Sequence, residues 1–370
     1  MHILTSMLSL FSKPGIKKIP LITDEEYKLL QSRLERELEL PKPGPVILLP
    51  ESRHILGSIR KSTREHNLNN VTRTNAYLDY YIRNPEVHWA FLAHMVSRNG
   101  GFHMTDLKGS AMDHLLTEHD KKKYFLFLEG ANSAIFSDAY PQLLLYEYGK
   151  TQRVPHREIL SLFSVSPFMA PVWEQFRVTG SSALLTAALI INEQRMLQAR
   201  LLSQGSHAKI LGGLDFQLQE FFGFTTVVFP YSKGRELYKL SGLAVRRFAE
   251  PAERIAVGKK LYAILFDKKI YRGALEFARG IRHTASRSDY WGGIFSRSSE
   301  DGEKLYSPRL TDSWSNMNLP PLKTSDWFTD KRYIEELKWG IIPGEKDITK
   351  KVLENLKVIQ AINEWKDSIE

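Results

Sequence analysis

A mainly α fold is what this sequence predicts, and three observations predict it. Apolar residues recur at steps of three and four along most of the chain. Helix-start and helix-stop residues punctuate those runs. Stretches rich in β-branched residues are few and short. The 370 residues suffice for one large core or two ordinary domains, and 42% hydrophobic with 25% charged residues is globular composition. The chain has no cysteine, which excludes disulfide frameworks, thiolate zinc sites and a cysteine nucleophile and suits a reducing cytoplasm.

The opening "MHILTSMLSLFSKPGIKKIP" places an apolar decamer before Lys13, Lys17 and Lys18. A secretory signal has its positive charges first, and ten residues are too few to span a bilayer, which takes roughly 20. The expectation for residues 1–50 is therefore a partly helical extension that docks on the body or frays. Weak contact with a membrane surface is the alternative.

A helical core is expected over residues 51–285. "ESRHILGSIRKSTREHN" and "NVTRTNAYLDYYIRN" read as its first helices. "NPEVHWAFLAHMVSRNGG" offers Asn84 as N-cap, Pro85 at the first helical position and Gly100 as the stop. "HDKKKYFLFLEGANSAIFSDAYPQLLLYEYGK" reads as a helix interrupted or restarted at Pro141. Ser166–Pro167 and Pro251 open two more helices, and "ALLTAALII" (183–191) is a buried helix centre. Only "VILLP" (46–50) and "TTVVF" (225–229) invite a strand, enough for a minor ribbon. Residues 286–345 lose periodicity but keep Trp and Tyr, so they are expected to be irregular and packed on the core. A final amphipathic helix over 346–370 has Ile348, Val352, Leu356, Ile359, Ile362 and Ile369 on its apolar face.

The net charge of +9 is regional. Lys233 to Arg287 holds 14 Lys or Arg against five Asp or Glu, while the remainder balances at 37 each. Such a region suits an anionic partner, either nucleic acid or a phosphorylated small molecule. Within it lies "RHTASRSDYW", whose Arg282, His283, Ser286, Arg287, Asp289, Tyr290 and Trp291 combine guanidinium forks, hydroxyls and rings able to cover a base or sugar. A solvated connection is the bland alternative. Treated as one helix, Arg254 to Arg272 gathers Arg254, Lys268, Lys269 and Arg272 in one sector. Leu261 and Leu265 fall there too, so the basic stripe is not clean.

Three further groups carry chemistry. Arg98, Asn99 and Asp106 flank the Gly100–Gly101 pair, read as a turn whose amides would receive a ligand. Glu129 is the only charge between Tyr124 and Ser137, with Asn132 on its stripe. An isolated carboxylate on an apolar helix demands a cationic partner, hydrogen bonds or a raised pKa. "INEQRMLQAR" (Asn192, Glu193, Arg195) is a candidate partner helix. His94 shares a seam with Ala90, Ala93 and Ser97, which favours a packed, hydrogen-bonded ring. Glu129, His94 and His283 are the acid–base candidates for a hydrolase with a polar internal cleft.

Metal is not expected. Five of eleven histidines lie between His88 and His119, but the helical pairs are five or six apart, off one face, and HExxH and HxxxH are absent. No cofactor is implied either: GxxxxGK[ST] is missing, and "GGLDF" and "WGGIF" are glycine doublets without a dinucleotide fingerprint.

The segments "NNVTRTNAYLDYY", "HWAFLAHMVSRNGG", "MTDLKG", "HTASRSDYW" and "YSPRLTDSW" together resemble the YppC-like proteins of spore-forming Bacilli, a domain of unknown function. The resemblance runs from about Glu51 to Trp314 and is most specific from Trp89 to Lys108. The family pattern has Trp where this chain has Phe102 and Gly where it has Ala285. It implies a bacterial intracellular protein and carries no catalytic residues over. From the residues, the leading expectation is a module binding an anionic ligand; the others are a hydrolase and a scaffold or membrane-surface protein.

Overall fold

The structure, a computed structural model, describes residues 19–20, 22–41, 48–110, 116–202, 226–234, 237–244, 250–319, 325–338, 340–341 and 347–367. It is mainly α. The apolar decamer and its expected docking or membrane contact lie outside the described residues.

After the two-residue strand β1 (Ile19–Pro20), helix α1 (Asp24–Glu39) opens with a capping box. Thr23 receives the Glu26 amide, and Glu26 accepts from the Thr23 amide. Its buried Tyr27, Leu30 and Leu34 face α7 and a C-terminal 3-10 helix. Helix α2 (Pro50–His66) starts at Pro50, and no strand forms at Leu48–Leu49. The expected "VILLP" strand fails there because Pro50 presets a helical first turn and Leu49 is 71% exposed; Val46 and Ile47 lie outside the described residues.

Helices α3 (Asn70–Arg83) and α4 (His88–Asp106) pack along their length as a helical hairpin. Two expected boundaries move. Asn84 caps the end of α3, because its amide oxygen is taken by Lys150 Nζ and its amide nitrogen donates to Tyr80 O and Glu147 Oε1. Gly100 and Gly101 do not stop α4, which runs on to Asp106. A Cβ on Gly101 would stand 2.5 Å from Asn70 Oδ1 and 2.7 Å from His283 Nε2. The glycine serves close approach, not a turn, and no loop amides are presented there.

Helix α5 (Glu118–Tyr148) is continuous through Pro141, correcting the expected interruption. Pro141 removes one backbone hydrogen bond, a cost of about 3 kcal/mol that burial of Ala139, Tyr140, Leu143, Leu144 and Leu145 offsets. Helices α6 (His156–Leu162) and α7 (Met169–Thr179) lead to α8 (Ser182–Leu197), the "ALLTAALII" helix, which touches α4, α5 and α7 and so forms the core axis. A π turn, Gln198–Leu202, follows.

Strand β2 (Thr226–Lys233) forms at the expected "TTVVF" run, but its antiparallel partner is β3 (Tyr238–Ala244), a run the sequence did not single out, with a bulge between Pro230 and Ser232. The bulge accommodates a proline that has no amide to donate. Helices α9 (Pro251–Leu265) and α10 (Lys268–Gly280) follow as separate elements. Asp267 divides them by accepting the Lys269 amide, so the single wheel drawn across Arg254–Arg272 mixed two helices. Gly273 lets α10 sit directly on β2; a Cβ there would overlap Tyr231 O at 1.4 Å.

Short elements fill the irregular segment: α11 (Ser288–Trp291), the parallel pair β4 (Phe295–Ser296) and β5 (Leu305–Tyr306), α12 (Leu310–Ser313), the 3-10 helix Lys331–Lys338 and β6 (Gly340–Ile341), which pairs with β1. Three indoles pin this segment to the body. Trp291, Trp314 and Trp327 donate to Tyr238 O, Met104 O and Asn192 Oδ1 at 2.8, 2.8 and 3.0 Å. Helix α13 (Thr349–Asp367) buries Ile348 and Leu356 at its start and middle; the side chains of Ile359, Ile362 and Ile369 lie outside the described residues.

Candidate functional site

The stretch Arg282–Trp291 folds inward. His283, Ser286, Arg287, Asp289, Tyr290 and Trp291 are buried, and Arg282 alone among the seven candidates is exposed. Arg287 meets Asp106 through two parallel bonds of 2.8 and 2.6 Å and donates to Tyr290 Oη at 2.5 Å. Burial alone would lower the Arg287 pKa; the Asp106 charge reverses that and holds it above its ordinary value. Ser286 donates to Ser307 O, and the Arg287 amide donates to Ser307 Oγ. The guanidinium fork expected to grip a ligand grips a carboxylate of α4.

Asp289 collects the Thr284 amide at 2.8 Å, the Thr284 hydroxyl at 2.6 Å and Arg297 Nη2 at 2.9 Å, with Arg98 Nη2 at 3.8 Å. Burial pushes its carboxyl up, but the Thr284 bonds and the Arg98 charge outweigh this and leave it below the usual value. His283 Nε2 donates to Asn70 Oδ1 at 3.0 Å while Nδ1 accepts the Ala285 amide at 3.3 Å, which describes a neutral ring. Burial lowers its pKa to about 4. Ala285 takes φ 69°, in the left-handed region, and its carbonyl accepts from Thr105 Oγ1 at 2.5 Å.

The other candidates are dispersed, and all but the half-buried Asn132 are buried. Glu129 pairs with Arg73 at 2.5 Å, so its cationic partner comes from α3 and not from "INEQRMLQAR". His94 Nδ1 lies 2.8 Å from Thr74 O, and burial followed by the Arg98 charge holds its pKa well below the usual imidazole value. Arg98 donates to Ile281 O at 3.0 Å, stacks on Phe277 at 4.4 Å, and burial brings its pKa to about 10. Asn99 clamps β2 by exchanging bonds with Val228 N and O at 2.9 and 3.0 Å. Asn132, half-buried, donates to Leu128 O at 2.8 Å. Glu129, His94 and His283 are thus held by three different α3 residues: Arg73, Thr74 and Asn70.

One buried acid, Asp138, is not singled out by the sequence, and Glu193 enters there only as part of a candidate partner helix. Asp138 accepts from Gln142 Nε2 at 2.8 Å and Asn192 Nδ2 at 2.6 Å, and burial raises its pKa to about 6. Burial likewise raises Glu193, which α8 carries, to about 7. The argument that singled out Glu129 would have found Asp138, the one charge in "IFSDAYPQLLL". Among the described residues no group of three or more His, Asp or Glu side chains is placed to hold a metal ion.

The regional positive charge divides into an inner and an outer part. Arg254 donates to Gln194 and Gln198, Lys259 donates to Glu336 O and burial lowers it to about 8, and Arg287 is paired. Arg235, Arg246 and Arg247 lie outside the described side chains. On α10, by contrast, Lys268, Lys269, Arg272 and Arg279 are exposed, and no described carboxylate pairs with any of them. Lys268, Arg272 and Arg279 line a surface groove of about 430 Å³ with Tyr271, Leu275 and Glu276. The opposite side of α10 buries Ile270, Ala274, Phe277 and Ala278. Two lysines in the first turn add to the positive helix end, where acids would stabilise the helix.

The model of a family described as "Protein of unknown function (DUF2515)" matches residues 65–336. The chain is 38% identical over 319 residues to the "Uncharacterized protein YppC" of Bacillus subtilis (strain 168), an alignment covering 85% of this chain and 96% of that protein. No solved structure matches the chain.

Proposed function

The chain belongs to the DUF2515 family of proteins of unknown function, and from its own surface chemistry we propose that it is a non-catalytic cytoplasmic module that binds an anionic ligand through the exposed face of α10. The observation that carries this reading is the run of Lys268, Lys269, Arg272 and Arg279 on one 13-residue helix, exposed and without a described ion pair. Charges without internal partners stabilise nothing within the chain and repel one another at low salt, so their use is outward. Arg282, exposed just past the helix, extends the same charge. Nucleic acid and phosphorylated small molecules are among the anions that such Lys and Arg groups recognise.

The hydrolase reading is weaker on chemistry. Its acid–base candidates are a neutral buried His283, a neutral buried His94 and a Glu129 already bonded to Arg73. For the scaffold or membrane-surface reading, no helix among the described residues is long and apolar enough to cross a membrane. The test is a filter-binding and mobility-shift series on DNA, RNA and nucleotides at low salt. Binding to at least one of these that weakens as salt rises is expected; no binding to any of them would overturn the reading.

A further inference from the structure

We infer that the anion held by α10 is a nucleic-acid duplex, gripped through the phosphates of its backbone without base readout; the inference rests on the anion-binding reading above and adds which anion. The cations reach along the helix. With a helical rise of about 1.5 Å per residue, Lys268 and Arg272 are roughly 6 Å apart along the axis and Arg272 and Arg279 roughly 10 Å, about 16 Å in all. A single nucleotide occupies one part of such a row. A duplex, with a phosphate every ~3.4 Å of axis on each strand, meets all of it.

The helix that carries them is held rigidly. Gly273 seats α10 on the Tyr231 backbone, Phe277 is stacked by the Arg98 guanidinium, and Arg98 in turn bonds Ile281 O just beyond the helix. The cations therefore stand on a fixed rod. A fixed row of charge fits a stiff ligand whose phosphates are themselves fixed, with little ordering cost on either side.

Among the described residues the face has no ring free to stack on a base. Single strands are held by aromatic rings on which bases stack. Tyr271 is the aromatic residue of this groove, and it is spent: its hydroxyl bonds Tyr81 Oη at 2.8 Å, its ring stacks on Phe266 at 5.3 Å, and Phe91 meets it edge-on at 5.9 Å. The exposed side chains of α10 are Lys268, Lys269, Arg272, Glu276 and Arg279, with no Asn or Gln to read adenine. Lys and Arg meet guanine edges as well as phosphates and Glu meets cytosine, so backbone grip is separated from base readout by duplexes of unrelated sequence. Glu276 sits between Arg272 and Arg279 and opposes phosphate there, which limits affinity and supplies a handle for the test.

The experiment is fluorescence anisotropy on the full chain with a labelled duplex of about two helical turns (roughly 20 base pairs), the matching single strand, and ATP, across roughly 50 to 200 mM salt. Duplexes of unrelated sequence should bind alike and at least tenfold tighter than the single strand. Log affinity should fall with log salt with a slope of about −3 to −4, for three or four phosphates. Lys268→Gln with Arg272→Gln should shrink that slope by about 2. Glu276→Lys, a gain that misfolding cannot mimic, should tighten duplex binding severalfold. Single strand or ATP binding as tightly as duplex would overturn this inference while leaving the anion reading standing. Absence of binding by every probe would overturn both, and duplex affinity indifferent to Lys268, Arg272 and Glu276 changes would overturn the assignment to α10.

Discussion

Arg73 Nη2 lies 2.5 Å from Glu129 Oε2, with the two side chains only 1% and 3% exposed. The pair joins α3 to the one charge between Tyr124 and Ser137 of α5, and Asn67 Oδ1 takes a further Arg73 bond at 3.0 Å. Removing one partner leaves the other charge buried. Arg73→Met should therefore destabilise the fold by about 3–5 kcal/mol, whereas Arg73→Met with Glu129→Met should recover most of that loss. Urea unfolding of the two variants checks it; an Arg73→Met cost under about 1 kcal/mol would show the pair to be solvent-screened.

Acid should unfold the protein in part through His283. Its folded pKa, about 4, lies below the ordinary imidazole value near 6.5. A group depressed on folding contributes stability above the unfolded value, and that contribution is lost as pH falls from about 6.5 through 4. Asp138 and Glu193 run the opposite way: raised to about 6 and 7, they contribute most at acid pH and lose it as pH rises from about 4 through those values. Comparing wild type with His283→Gln isolates the first effect. The stability difference between them should shrink steadily from pH 7 to pH 4, and a constant difference would contradict the neutral buried ring.

Ala285 holds a left-handed backbone at φ 69°. That conformation costs an L-residue about 1–2 kcal/mol and glycine nothing, while glycine gives up about 0.4–1 kcal/mol in unfolded-chain entropy. Ala285→Gly should thus be neutral or stabilising by up to about 1 kcal/mol. Ala285→Val, branched and pressed toward Gly101, should destabilise by more than about 2 kcal/mol. Thermal unfolding of the two variants gives opposite signs if the strain is real.

Gly273 seats the basic helix. Gly273→Ala puts a methyl into the Tyr231 carbonyl and should cost about 3 kcal/mol or more as α10 is pushed off β2. Gly280→Ala, whose Cβ would meet nothing within 4 Å, is the control and should stay within about 0.5 kcal/mol. Hydrogen exchange of α10 amides should rise in the first variant only.

Much of the fold was legible because helices announce themselves locally. Pro251, the "ALLTAALII" centre and the Thr226–Phe229 part of the β-branched run did what periodicity and capping require. What failed was punctuation with two meanings. A glycine pair reads the same whether it ends a helix or admits a neighbour, and only the partner, Asn70 and His283 against Gly101, decides. Asn84 is an equally good cap at either helix end until Lys150 takes its oxygen. The site was misleading for a related reason. Arg287 and Asp289 look like a ligand's hydrogen-bonding set because they are one, and their ligands are Asp106, Thr284 and Arg297 from the chain itself. The cations left for solvent were hidden by drawing one helix where Asp267 starts a second.

The central claim is one of location, and charge neutralisation tests it most directly. Lys268→Gln, Lys269→Gln and Arg272→Gln remove three exposed charges from α10; Lys122→Gln, Lys123→Gln and Arg153→Gln remove three exposed charges elsewhere. Near 0.1 M salt each lost phosphate contact lowers affinity by roughly tenfold. For duplex DNA measured by anisotropy, the α10 triple should lose at least a hundredfold while the control triple stays within about threefold. Equal losses in both would contradict a localised anion-binding face.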